Sequence, residues 1–98
     1  MARLNWTLQA KDDLRNIRNF LSAQSRSYAK VQIKRIFERI QLLHTFPSMG
    51  RILPELEYER VRELIVGPYR IVYHLVSDNR IDILTIHHSA RPLNIKDI

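Results

Sequence analysis

Two dipeptides in the second half of the chain, Gly67-Pro68 and Asp78-Asn79, decide which side chains can meet. They separate the runs Arg60 to Val66, Tyr69 to Val76 and Arg80 to His87, whose β-branched and aromatic content reads as strand. Each dipeptide suits a tight hairpin. Gly67 can supply the positive φ of a type II′ turn ahead of Pro68, and Asp78-Asn79 tolerates the left-handed conformations of type I′. Tight turns set register, placing Ile65 opposite Arg70, Glu63 opposite Val72, Arg70 opposite His87 and Val72 opposite Thr85. One sheet face then carries Glu63, Arg70, His74 and His87. Leu64, Val66, Ile71, Tyr73, Leu84 and Ile86 fall on the other face and should meet the rest of the core.

A guanidinium among a carboxylate and imidazoles is open to two uses. It can stabilise developing negative charge while a neighbour moves protons. It can equally close an ion pair with Glu63, diagonally across the strand pair, that satisfies both groups without any ligand. The adjacent His87 and His88 do not suggest a metal, because successive strand residues point to opposite faces. The chain has no cysteine, which excludes disulfides, thiolate chemistry and cysteine-ligated metals. No cofactor or metal is expected.

The elements that must position this cluster are legible as periodicities. Arg3 to Trp6 is a short strand, with Trp6 expected to be buried against the helices. Thr7 is placed to cap a helix whose buried face is Ala10, Leu14, Ile17 and Leu21, with Phe20 beside it. Ser25 or Ser27 is placed to cap a second, with Ala29, Ile33, Ile36, Ile40 and Leu43 inward and Phe37 flanking. Phe46-Pro47 ends that helix. Pro47 to Tyr58 reads as an ordered loop in which Glu55, Glu57 and Glu59 are solvated. The order β-α-α-β-β-β describes an α+β fold, one domain over residues 1–98 with 89–98 as a C-terminal tail.

The 98 residues carry a formal charge of +6, unevenly placed. Residues 1–50 hold nine Lys and Arg against three Asp and Glu, while residues 51–98 hold seven of each. Arg26, Lys30 and Lys34, at spacing four, form a stripe on the outer side of the second helix, with Arg35 and Arg39 nearby. Such asymmetry suits an acidic partner, either nucleic acid or protein. No helix-turn-helix glycine turn or aromatic stacking pair supports a dedicated nucleic-acid module. No apolar run is long enough for a signal peptide core or a membrane span, so a soluble cytoplasmic protein is expected.

Taken in order, Phe46-Pro47-Ser48-Met49-Gly50-Arg51-Ile52-Leu53-Pro54-Glu55, then Arg62-Glu63-Leu64-Ile65-Val66, then Tyr69-Arg70-Ile71-Val72-Tyr73, resemble the RelE/ParE toxin superfamily. Trp6-Thr7, Ala10, Asp13-Leu14 and Ile17 on one side and Ile83 to His87 on the other extend the likeness over nearly the whole chain. The resemblance implies a helical hairpin packed on a twisted antiparallel sheet that the N-terminal strand joins. It also implies a type II toxin neutralised by a cognate antitoxin, in a hetero-oligomer. Two targets occur in the superfamily: messenger RNA on the ribosome for RelE-like interferases, and DNA gyrase for ParE-like members without an established hydrolytic site. Arg70 matches the interferase arginine and Glu55 the loop glutamate of some members. The terminal match fails, since Ser89-Ala90-Arg91-Pro92 follows His87-His88 and the acid or base would have to be His87 or His88. The pattern therefore sits closer to the ParE branch and implies a gyrase inhibitor that need not be an enzyme, with a ribosome-dependent mRNA interferase, an endoribonuclease, as the alternative. Arg62, Glu63, Ile65, Arg70, Val72, His87 and Arg91 are the target- or antitoxin-binding candidates. The open face bearing Val61, Ile65, Val72 and Ile83 and the basic helices are the surfaces expected to meet the antitoxin.

Overall fold

A computed structural model describes residues 2–98. The elements are β1 (Arg3–Trp6), α1 (Leu8–Gln24), α2 (Arg26–Gln41), β2 (Arg51–Ile52), β3 (Val61–Val66), β4 (Tyr69–Ser77) and β5 (Arg80–His88). Short 3-10 turns lie at Leu42–His44 and Ile95–Asp97. The five strands form one sheet in the order β1-β5-β4-β3-β2, with the helical hairpin on one face. The expected order of helices and strands is found, with β2 added inside the stretch read as a loop.

Both helices begin where their caps are. Thr7 accepts from the Ala10 amide at 3.1 Å, and Ser25 accepts from the Tyr28 amide at 3.2 Å, each satisfying an N–H that the first turn leaves free. Ser25 also ends α1, donating its own amide to Leu21, so a single residue joins the helices. Ala10 and Leu21 of α1 and Ala29, Ile36, Ile40 and Leu43 beyond it are buried, while Leu14 and Ile17 pack at the margin. Trp6 is only half buried, lying against Phe37 with ring centroids 6.3 Å apart.

The register of β3, β4 and β5 is the one that tight turns impose: Ile65 faces Arg70, Glu63 faces Val72 and Arg70 faces His87. Gly67 has φ of 56° ahead of Pro68, whose ring holds φ negative, as a type II′ turn requires. The second turn differs from expectation. Among the described residues Glu57 is the one non-glycine with positive φ, so Asp78-Asn79 is not type I′. A register shift between Leu75 and Ser77 accompanies it, an extra residue that re-twists the strand where the turn does not.

A second irregularity changes which residues are inside. Val72 pairs with Thr85 but Tyr73 pairs with Ile83, leaving Leu84 as a bulge. The bulge turns Ile83 into the main core and Leu84 to the far face, the reverse of simple alternation. The sheet is also mixed and not wholly antiparallel, because β1 runs parallel to β5. Hairpin turns fix direction only between consecutive strands, and β1 reaches β5 through none.

Thr7 anchors this crossing by donating its hydroxyl to Ile83 and Leu84 carbonyls at 2.8 and 3.0 Å. β1 stops opposite Ile83, and beyond it Asp13 of α1 takes the place of a strand. Its Oδ2 accepts from Thr85 Oγ1 at 2.5 Å and from the Ile86 amide at 3.0 Å. Asp13→Ala leaves both donors unmet and should lower stability by about 1–3 kcal/mol in urea unfolding with the slope unchanged. A loss under about 0.5 kcal/mol would mean that water replaces the carboxylate without penalty.

Candidate functional site

The face of the sheet away from the helices is not open. Leu53, Val61 and Val72 form a second buried cluster, closed by Leu84 and by Leu93 and Ile98 from the C-terminal segment. Residues 89–98 thus fold back as a strap and do not trail away as a tail. Val61, Val72 and Ile83 are buried and cannot serve as exposed contacts, whereas Ile65 is 49% exposed.

Beside this cluster lies a chain of charges whose order follows from the loop before β3. Tyr73 is fully buried, and its hydroxyl donates to the Pro47 carbonyl at 2.8 Å while accepting from the Gly50 amide at 2.9 Å. A Cβ on Gly50 would stand 2.5 Å from the Glu63 carbonyl and 2.7 Å from the Tyr73 hydroxyl, so only glycine lets the loop approach this closely. The chain leaves Gly50 directly into β2, where Arg51 pairs with Glu63. Arg62 holds the same loop from outside, its Nη1 donating to the Gly50 carbonyl at 2.9 Å and its Nε to that of Glu59 at 3.1 Å.

Glu63, with a side chain 0% exposed, consequently receives two guanidiniums: Arg51 Nε on Oε2 at 2.5 Å and Arg70 Nε on Oε1 at 2.6 Å. The other edge of Arg70 makes a bidentate fork with Glu55, Nη1 to Oε2 and Nη2 to Oε1, both at 2.7 Å. Of the three loop glutamates read as solvated, Glu55 is therefore drawn onto the sheet. Hydrogen bonding to Arg70 holds its carboxyl below the ordinary range against the opposing effect of burial. The fork with Glu55 likewise keeps Arg70 protonated more firmly than a free guanidinium, against partial desolvation and with Glu63 assisting.

His87 stands opposite Arg70 in register, but its Nε2 donates to the Arg91 carbonyl at 2.8 Å, and no hydrogen bond joins the two among the described residues. His88 is set edge-on to Tyr69, centroids 5.5 Å apart. The Arg91 side chain is exposed. Arg26, Lys30 and Lys34 are exposed on α2, with Lys34 near Glu38 at 3.8 Å. Arg51 was not among the candidates. Its only signal in the sequence was its place directly after Gly50, in a strand too short to show alternation. Among the described residues no helix is long and apolar enough to cross a membrane.

A model of the ParE toxin of the type II toxin-antitoxin system parDE matches residues 4–93. The chain belongs to the ParE toxin family. Among relatives of this ParE-family toxin, the Toxin RelE2 of Caulobacter vibrioides is 32% identical over 91 residues, which is 93% of this chain and 99% of that protein. A solved structure described as the chromosomal ParDE TA system from P. aeruginosa superposes with a TM-score of 0.74 at 26% identity, covering 90% of this chain and 96% of that one. The ParE-family assignment thus takes in the helical hairpin, the sheet and the Arg70 face together.

The Glu55 interaction should be visible in acid. Its folded-state pKa is lowered, so its contribution is fully present above its unfolded value, near the ordinary 4.5, and is lost as pH falls through the folded value. Glu55→Gln should therefore melt below the parent protein at neutral pH, with the gap closing as pH is taken below about 4.5. A gap that stays constant across the acid range would show that the carboxylate charge contributes nothing.

Proposed function

We propose that this type II toxin inhibits DNA gyrase and is held inactive by a cognate antitoxin in a hetero-oligomeric complex in the cytoplasm, the whole of residues 1–98 acting as one toxin domain. The observation that carries the choice of target is the state of Arg70. Its fork is filled by Glu55 and its Nε by Glu63, while His87 is turned to Arg91, so the three groups an RNA-cleaving site would need do not converge as free cation, base and acid. A gyrase inhibitor needs no such set. Ile65 and the basic stripe Arg26, Lys30 and Lys34 remain available to partners, and their chemistry suits an antitoxin segment that combines apolar and acidic side chains.

One observation favours a second reading, a ribosome-dependent mRNA interferase: the 32% identical relative carries the name Toxin RelE2. In that reading Arg70, His87 and Glu55 would supply the cation and the acid-base groups after rearrangement. The two separate cleanly in parallel assays of the purified toxin, one on gyrase supercoiling and DNA cleavage, the other on translating ribosomes with primer extension. Inhibited supercoiling with accumulated cleaved DNA, intact messenger, and unchanged potency for His87→Ala are expected. Cleaved messenger with no effect on gyrase would overturn the proposal.

A further inference from the structure

The C-terminal strap is tied down in two unlike halves. Its first residues are stitched to the hairpins: Ser89 donates its amide to the Pro68 carbonyl at 2.8 Å, Arg91 donates its own to that of His88 at 3.0 Å, and the Arg91 carbonyl accepts from His87 Nε2 at 2.8 Å. Pro92 ends the stitching, having no N–H to give. Beyond it the hydrogen bonds among the described residues stay inside the strap. The Lys96 amide donates to Asn94 Oδ1 at 3.0 Å and the Ile98 amide to the Ile95 carbonyl at 3.1 Å, so this short turn carries its own pairing with it.

What holds residues 92–98 is apolar and small. Leu93 and Ile98 are half-buried against Leu53, Val61, Val72 and Leu84, while Pro92, Asn94, Ile95 and Lys96 are exposed. The residues they cover are better buried than they are, since Leu53 and Val72 have no exposure and Val61 only 5%. Lifting the segment breaks none of the hydrogen bonds named above and removes only the apolar contacts of two side chains. The main core, between sheet and helices, admits water only when those layers part. That difference separates a local opening from global unfolding.

We infer that residues 92–98 are a hinged lid over an apolar groove on the sheet, opening at Pro92 while the rest of the domain stays folded. Closed, it leaves a charged rim around Glu63 and Arg70; open, it bares the groove of Leu53, Val61, Val72 and Leu84 beside those charges. The groove's occupant is the lid itself, and whatever displaces it meets an affinity reduced to the fraction of time the lid is open. The lid belongs to the fold and does not depend on which target the toxin acts on.

The chain has no cysteine, so a single introduced thiol reports on one position. Val72 and Ile71 are neighbours on β4, both 0% exposed, one under the lid and the other in the main core. Full-length Val72→Cys and Ile71→Cys are each treated with a thiol-reactive disulfide reagent, and urea unfolding of each gives the rate that global opening alone allows. Val72→Cys should react roughly a hundredfold faster than that limit, at a rate independent of protein concentration, and Ile71→Cys no faster than its own limit. Adding Leu93→Ala should quicken Val72→Cys roughly tenfold beyond any change in stability, while Ile71→Cys follows stability alone. In the parent, carboxypeptidase should trim the native chain back towards Pro92 at a rate that low urea leaves unchanged, a readout free of any core substitution. Val72→Cys reacting only at its global limit, no response to Leu93→Ala, or trimming that follows global unfolding would each overturn the inference. So would rates that vary with protein concentration, the mark of a strap exchanged between copies.

Discussion

A single buried carboxylate organises the functional face of this toxin. Glu63 has no access to solvent and is shared between Arg51 and Arg70, one guanidinium on each oxygen. Placing an ionised group there is costly unless it is fully paired, and the pair as a whole need not add net stability. What it does impose is arrangement. Arg70 cannot turn away from Glu63 without leaving a buried charge exposed to nothing, and Arg51 cannot leave β2 without the same consequence.

That constraint explains why the loop before β3 takes its particular path. Tyr73 rises from the core to meet Pro47 and Gly50, Gly50 packs against the Glu63 backbone, and Arg51 arrives beside Glu63 as the next residue. The sheet is secured at its opposite side by different means. β1 lies parallel to β5, and where β1 ends the helix side chain of Asp13 completes the edge at Thr85 and Ile86. The helical hairpin therefore does more than cover the sheet; it supplies the acceptor that lets β5 continue past its neighbour. Beside the charges, on the same face, Leu93 and Ile98 close the small cluster around Val72.

Much of this was legible before any coordinates, and the reasons differ by element. The caps Thr7 and Ser25, the inward faces of both helices and the pairing of Glu63, Arg70 and His87 followed from local chemistry and from turns that leave no freedom of register. The diagonal ion pair between Glu63 and Arg70 was one of two open uses of the cluster, and it is the one the structure shows. What alternation could not foresee was the bulge at Leu84, which exchanges the roles of Ile83 and Leu84. The parallel entry of β1 escaped because no turn dictates it. The pairing of Glu55 with Arg70 and the place of Arg51 escaped for a further reason: both depend on the course of an irregular loop, which is set by contacts with Tyr73, Gly50 and Arg62 distant in sequence. The burial of Val61 and Val72 likewise rests on the strap returning to the sheet.

The central claim is that Glu63 is the pairing partner on which the Arg51 and Arg70 geometry depends. Urea unfolding of Glu63→Gln at neutral pH tests it most directly, because the amide keeps the shape and removes the charge. A loss of about 3–5 kcal/mol is predicted, the magnitude of a buried pair broken from one side. A loss under about 1 kcal/mol, typical of an exposed ion pair, would contradict the account.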